Sequence, residues 1–170
     1  MTTHDSTLVA TGPPNLVETP PKKSKFRLRL TSSLKDQGNK AFAAKDYDKA
    51  IELFTQAIAL DPKHVLFSNR SAAHAGKRQW TDALADAEQC VAMNSSWAKG
   101  YARKGAALHG ARRYDEAIAA YEEGLKLEES PALRKGLKEV QAARAVAEKE
   151  ATWLTLGLPL CESPTFNSPT

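Results

Sequence analysis

Five polar side chains fall at spacings that suit the capture of an anion: Lys35 with Asn39, Asn69, and Lys99 with Arg103. Each close pair is an i, i+4 pair, so its members share one face wherever the segment is helical. Two cations at that spacing repel and weaken a helix by roughly 0.2–0.5 kcal/mol. Stability alone gives no reason to set Lys99 beside Arg103, whereas a bound anion does. Ammonium and guanidinium groups make charge-assisted hydrogen bonds to carboxylate oxygens, and the two amides add donors of fixed shape.

Catalysis would need other residues: a nucleophile with a base, paired carboxylates in a cleft, a metal-ligand set or a phosphate loop. The four histidines, His4, His64, His74 and His109, form none of these; His64 begins a helix and His74 packs. Cys90 and Cys161 allow one pairing and show no CxxC or Cys/His spacing. Neither a disulfide framework nor a zinc site is expected, and a reducing compartment fits best. The expectation is a protein that binds, with no enzymatic activity, no cofactor and no metal.

A chain of 170 residues has the length of one domain with tails. With 26% charged and 42% hydrophobic residues and a mean hydropathy of −0.47, it reads as a soluble globular chain. Its formal charge of +4 is uneven: residues 1–30 hold five basic and two acidic side chains, residues 31–130 fourteen of each, and residues 131–170 five and four. The first thirty residues contain no apolar run of signal-peptide length. The most apolar stretch elsewhere, Trp153 to Leu160, is far too short to span a bilayer. Asn94-Ser95-Ser96 has the form of a glycosylation acceptor but reads as a helix-capping cluster without a secretory signal.

The elements that position the five donors come from a repeat. Tyr47-x-x-Ala50, Trp80-x-x-Ala83 and Tyr114-x-x-Ala117 place their alanines 33 and then 34 residues apart. Gly38, Ser71 and Gly105 precede those alanines by twelve residues, and Ala57, Cys90 and Gly124 follow them by seven. Each unit reads as two amphipathic helices whose axes approach at the small residues, with the aromatic that starts the second helix filling the wedge between them. Thr31, Ser32 and Ser33 offer caps for the first helix, Asp46 caps the second, and Asp61-Pro62 stops it. Asn94-Ser95-Ser96 replaces that proline turn in the second unit. Ser130 with Pro131 starts a last helix, carrying Leu133, Leu137 and Val140 to about Ala151, which serves as a solvating cap. Residues 1–30, rich in Thr, Pro and Lys, read as a disordered leader, and residues 152–170 as an irregular tail.

With these residues in place, the chain resembles the tetratricopeptide repeat family over roughly residues 31–151, as repeats 31–63, 64–97 and 98–131 plus a capping helix at 131–151. The resemblance implies an all-α fold, a right-handed superhelix whose first helices line a concave groove. Lys35, Asn39, Asn69, Lys99 and Arg103 reproduce the carboxylate-clamp pattern of the family's chaperone-binding domains. The stretches Gly38 to Phe42, Ser68 to Ala73 and Lys99 to Lys104 look most like the first repeat domain of the organising co-chaperones of heat-shock protein 70 and heat-shock protein 90. That likeness implies a co-chaperone adaptor for a chaperone tail ending in Glu-Glu-Val-Asp. Lys35, Asn39 and Asn69 would take the main-chain carboxylate, and Arg103 with Lys99 the Asp side chain.

Phe42, Ala72, Ala75 and Ala102 are expected either to wall the groove for the Val and the residues before it or to pack between helices. A short peptide covers far less than a standard interface of about 1,600 Å² and loses entropy on ordering, so micromolar, salt-sensitive binding is expected. Gly76, one helical turn beyond Ala72, is read as a groove position where a missing side chain loosens discrimination. Heat-shock protein 70 is favoured on overall similarity, with heat-shock protein 90, or both, left open.

Two other readings stand beside this one. The repeats could bind an unrelated acidic C-terminus, and the basic run from Pro21 to Arg29 could serve nucleic-acid contact, targeting, or an anionic surface. A solvated leader is the preferred reading of that run, and specific nucleic-acid binding is disfavoured. About 30 residues before the repeats and about 20 after leave no room for a fused catalytic module. A monomer without membrane insertion, cytoplasmic with the nucleus as the alternative, completes the expectation.

Overall fold

A computed structural model describes residues 21–155. Seven helices follow one another there: α1 (Pro21–Ala43), α2 (Tyr47–Leu60), α3 (His64–Gly76), α4 (Trp80–Met93), α5 (Ala98–Gly110), α6 (Tyr114–Leu127) and α7 (Pro131–Thr155). No strand occurs among the described residues. The three second helices start at the aromatics Tyr47, Trp80 and Tyr114, so the repeat read from the sequence sets the phase of the fold.

Local chemistry explains the boundaries. The Asp46 side chain accepts a hydrogen bond from the Lys49 backbone N–H at 3.2 Å and caps α2. Asp61 ends that helix in an extended conformation (φ −151°), as the residue before a proline must. Asn94 does the same for α4 without a proline, its side-chain oxygen accepting from the Ser96 hydroxyl at 2.9 Å in the turn before α5. Each first helix closes through one left-handed residue, Lys45, Arg78 or Arg112 (φ about 60°), and the next backbone N–H reaches back to Ala41, His74 or Leu108 at 2.9 Å.

Two boundaries differ from expectation. α1 begins at Pro21 rather than near Thr31, so residues 21–30 are helical and not a disordered leader. Lys, Arg and Leu are good helix formers and nothing breaks the run. Thr31 sits inside the helix, donating its hydroxyl to the Arg27 carbonyl at 2.9 Å instead of capping. α7 likewise continues past Ala151 to Thr155. The rest of the expected tails, residues 1–20 and 156–170, lies outside the described residues.

Packing is between neighbours. The odd-numbered helices touch one another in series, whereas α2, α4 and α6 touch only the helices next to them in the chain. The odd helices therefore line one face of a superhelical stack and the even helices the other. Within a repeat the close approach occurs where foreseen: a Cβ on Gly38 would lie 2.6 Å from the Phe54 ring, and one on Gly105 2.7 Å from Tyr121. The first core gathers Ala41, Ala50, Phe54, Ala57, Leu66 and Ala73, and the second Leu108, Ala117, Tyr121, Leu133 and Val140 with their neighbours.

The aromatics that start the second helices reach further than expected: Tyr47 meets Phe42 and Tyr114 lies near His109 within their own repeats, and two of the three also touch the next repeat. A Cβ on Gly76 would lie 2.6 Å from the Tyr47 ring, and one on Gly110 2.4 Å from Trp80. Tyr47 and Trp80 thus fill the corner between one repeat and the next. Gly76 is small because Tyr47 occupies its side-chain space, which corrects its reading as a tunable groove position.

Candidate functional site

The small residues Gly38, Ser71 and Gly105 face the second helix of their own repeat, and they give each first helix a common angular reference. Lys35 and Asn39 lie three residues before and one after Gly38, Asn69 two before Ser71, and Lys99 and Arg103 six and two before Gly105. At 3.6 residues per turn these offsets fall within one arc about 100° wide. Phe42, Ala72, Ala75 and Ala102 share that arc or its edge. All nine lie on α1, α3 and α5, the helices that touch in series.

Contacts bring part of the set together. The Asn69 amide on α3 donates to the Asn39 carbonyl oxygen on α1 at 3.1 Å, joining two repeats through the two amides. Lys35, one turn before Asn39, makes only a loose exposed contact with Asp36 at 3.8 Å. On α5, Lys99 is exposed and its ammonium stands 5.8 Å from the centre of the Trp97 ring. Arg103 is half-buried, and its Nε–H is buried without a hydrogen-bond partner.

The electrostatics of α5 are unbalanced. Burial pulls the Arg103 guanidinium below its ordinary pKa, and the titratable groups facing it are Cys90 and Tyr121, not a carboxylate. Neither Lys99 nor Arg103 forms an ion pair among the described residues. Both act on Cys90, whose buried thiol is pushed up to about 11 by desolvation against their pull. Two cations thus stand one turn apart on α5, one of them desolvated and short of an acceptor.

The four apolar candidates differ in exposure. Phe42 is 37% exposed and meets the Tyr47 ring edge-on at 5.6 Å. Ala75 and Ala102 are half-buried, and Ala72, 8% exposed, is buried and offers little surface.

Two supporting features were not foreseen. Arg70, beside Asn69, makes a two-pronged pair with buried Asp86 at 2.8 and 2.6 Å and reaches the Thr55 hydroxyl at 3.0 Å, tying α2, α3 and α4 together. His74 adds a ring nitrogen 3.9 Å from Asp86 and another 2.9 Å from the Gln79 side-chain oxygen. The sequence signal was Asp86 itself, an acid on the packed face with Ala83, Ala87 and Cys90. The other feature is Trp97, packed edge-on against His64 at 4.8 Å and set beneath Lys99.

Comparison with known proteins agrees with this architecture. Residues 32–64 and 98–131 each match the tetratricopeptide repeat family, and α3 with α4 continues the phase between them. The chain is 51% identical over 124 residues to the heat shock protein sti1 homolog of Schizosaccharomyces pombe, an alignment covering 72% of this chain and 21% of that protein. It thus spans about a fifth of that relative's length. The first TPR of Spaghetti (RPAP3), solved bound to the HSP90 peptide SRMEEVD, has a TM-score of 0.65 at 34% identity over 69% of this chain and 94% of that one. The second TPR domain of human RPAP3, in complex with the HSP70 peptide SGPTIEEVD, has a TM-score of 0.64 at 29% identity over 68% and 98%. Repeat domains of this kind are in general non-enzymatic adaptors. By helix order, repeat phase and likeness to these domains over nearly their whole length, the chain belongs to the tetratricopeptide repeat family.

Proposed function

We propose that this chain is a non-enzymatic co-chaperone adaptor that captures the acidic C-terminal Glu-Glu-Val-Asp tail of heat-shock protein 70, heat-shock protein 90 or both. The observation that carries the reading is Arg103: a half-buried guanidinium with an unpartnered Nε–H and no carboxylate beside it, one turn from a second unpaired cation. Such a group is costly in the free protein and is satisfied by an incoming carboxylate. Lys35 and the Asn39–Asn69 amide pair take the peptide's main-chain carboxylate, while Lys99 and Arg103 take the side chain of its last Asp. Phe42, Ala75 and Ala102 contact the preceding apolar residues. The relatives support this reading, since two similar domains hold peptides ending in EEVD. A cytoplasmic monomer goes with it.

Calorimetric titration with a Glu-Glu-Val-Asp peptide tests the proposal. The free acid is expected to bind with micromolar affinity and the C-terminally amidated peptide to bind at least about tenfold more weakly, one charge-assisted contact being worth roughly 1.5–3 kcal/mol. Equal affinity for both would remove the clamp. A panel of unrelated acidic C-terminal peptides separates this reading from that of a general acidic-tail scaffold, which would bind them equally well.

A further inference from the structure

The upstream part of α1 lies outside the candidate clamp, and from Lys25 it is exposed. α1 has 23 residues where α3 and α5 have 13, and its burial begins only at Thr31, 5% exposed. From Lys25 to Leu30 every residue is exposed, including Phe26 at 70%, Leu28 at 48% and Leu30 at 38%. Lys25, Arg27 and Arg29 alternate with them, and none of the three makes an ion pair among the described residues. No acidic residue occurs between Pro21 and Lys35.

Helix geometry sorts these residues into a face. Lys25 and Arg29 are i, i+4 and form a cationic stripe; Phe26 and Leu30, each one residue on, form an apolar stripe directly beside it. The four fall within an arc about 140° wide whose centre lies opposite Thr31 and about 130° from the direction of Lys35 and Asn39. The face is therefore turned away from the contact with α2 and from the candidate groove.

We propose that this face of α1 docks on an anionic lipid surface. Unpaired cations meet negative headgroups, and an exposed Phe and Leu in the neighbouring stripe bury into the headgroup and acyl boundary, the arrangement by which a short basic helix lies in a membrane interface. A nucleic-acid backbone would use the cations but gives no place to two large apolar side chains. Attachment is peripheral, because no helix among the described residues is long and apolar enough to cross a membrane. The short exposed segment of one helix supplies a single weak signal, so binding is reversible and salt-sensitive.

The test is co-sedimentation of the 170-residue chain with vesicles of phosphatidylcholine, with and without phosphatidylserine. Binding is expected only with phosphatidylserine and is lost at high salt. K25Q/R29Q is expected to weaken it about tenfold, and F26S/L30S to weaken it comparably. Both variants should keep their affinity for the free-acid Glu-Glu-Val-Asp peptide, or their thermal unfolding midpoint if that peptide does not bind, which shows that they fold. Equal binding to both vesicle types overturns the proposal. So does unchanged vesicle binding by K25Q/R29Q, or full binding by F26S/L30S together with displacement of the chain by a short DNA duplex, which would assign the cations to phosphate contact alone.

Discussion

Replacing Arg103 by Met separates a ligand-binding guanidinium from a structural one, because the two roles move stability in opposite directions. Burial lowers the pKa of Arg103, with no carboxylate to offset it. For a base, a folded-state pKa below the unfolded one means that folding disfavours the charged form, so at neutral pH the charge costs stability. A buried polar group without its partner costs about 1–3 kcal/mol, and Met keeps much of the aliphatic packing. R103M is therefore expected to unfold at higher urea, with a gain of about 1 kcal/mol. Binding moves the other way: losing one partner of a desolvated charge pair costs about 2–5 kcal/mol, or about 30-fold to several thousand-fold in Kd. Denaturation and peptide calorimetry on the same sample give both signs. If R103M loses more than about 1 kcal/mol of stability while tail affinity falls less than about threefold, Arg103 is a structural residue and the reasoning fails.

Other residues carry expectations of their own. G76L places a side chain into the Tyr47 ring, and overpacking of that kind costs about 1–3 kcal/mol; a stable G76L with altered peptide selectivity would restore the groove reading. D86A leaves Arg70 without its carboxylate and should cost about 3–5 kcal/mol in urea denaturation, and a loss under about 1 kcal/mol would show the network to be dispensable. For Cys90 the folded pKa is raised from 9.0 to about 11, so the stability held in its neutral thiol is complete below pH 9 and lost as pH rises toward 11. In a Cys161→Ser background, Cys90 should react with a disulfide reagent at pH 8 only at the rate of unfolding, and rapid labelling of the native protein would contradict its burial.

The sequence carried the repeat because packing between the two helices of each repeat enforces it: Gly38 against Phe54 and Gly105 against Tyr121 require small and large residues at fixed separation. The clamp candidates were legible for the same reason, since offsets from those small residues fix the direction of a helical side chain. Contacts between repeats were harder to read. Tyr47 against Gly76 and Trp80 against Gly110 join residues whose partnership depends on how one repeat is rotated on the next, which the repeat period does not state. Arg70 and Asp86 were hidden likewise, because a charged pair across two helices leaves no periodic trace, although Asp86 on an apolar face was a visible signal. α1 ran longer than read because Thr and Ser after Arg29-Leu30 resemble caps, yet a mid-helix Thr can return its hydroxyl to the preceding turn.

The central claim is that amides and cations of three successive first helices meet one peptide end. An NMR titration of the isotope-labelled chain with free-acid Glu-Glu-Val-Asp, following the Asn39 and Asn69 side-chain amides and the Arg103 Nε–H, reads it most directly. The three signals are expected to shift together with a single micromolar Kd. Signals that stay in place while the peptide perturbs α2, α4 and α6 would contradict the account.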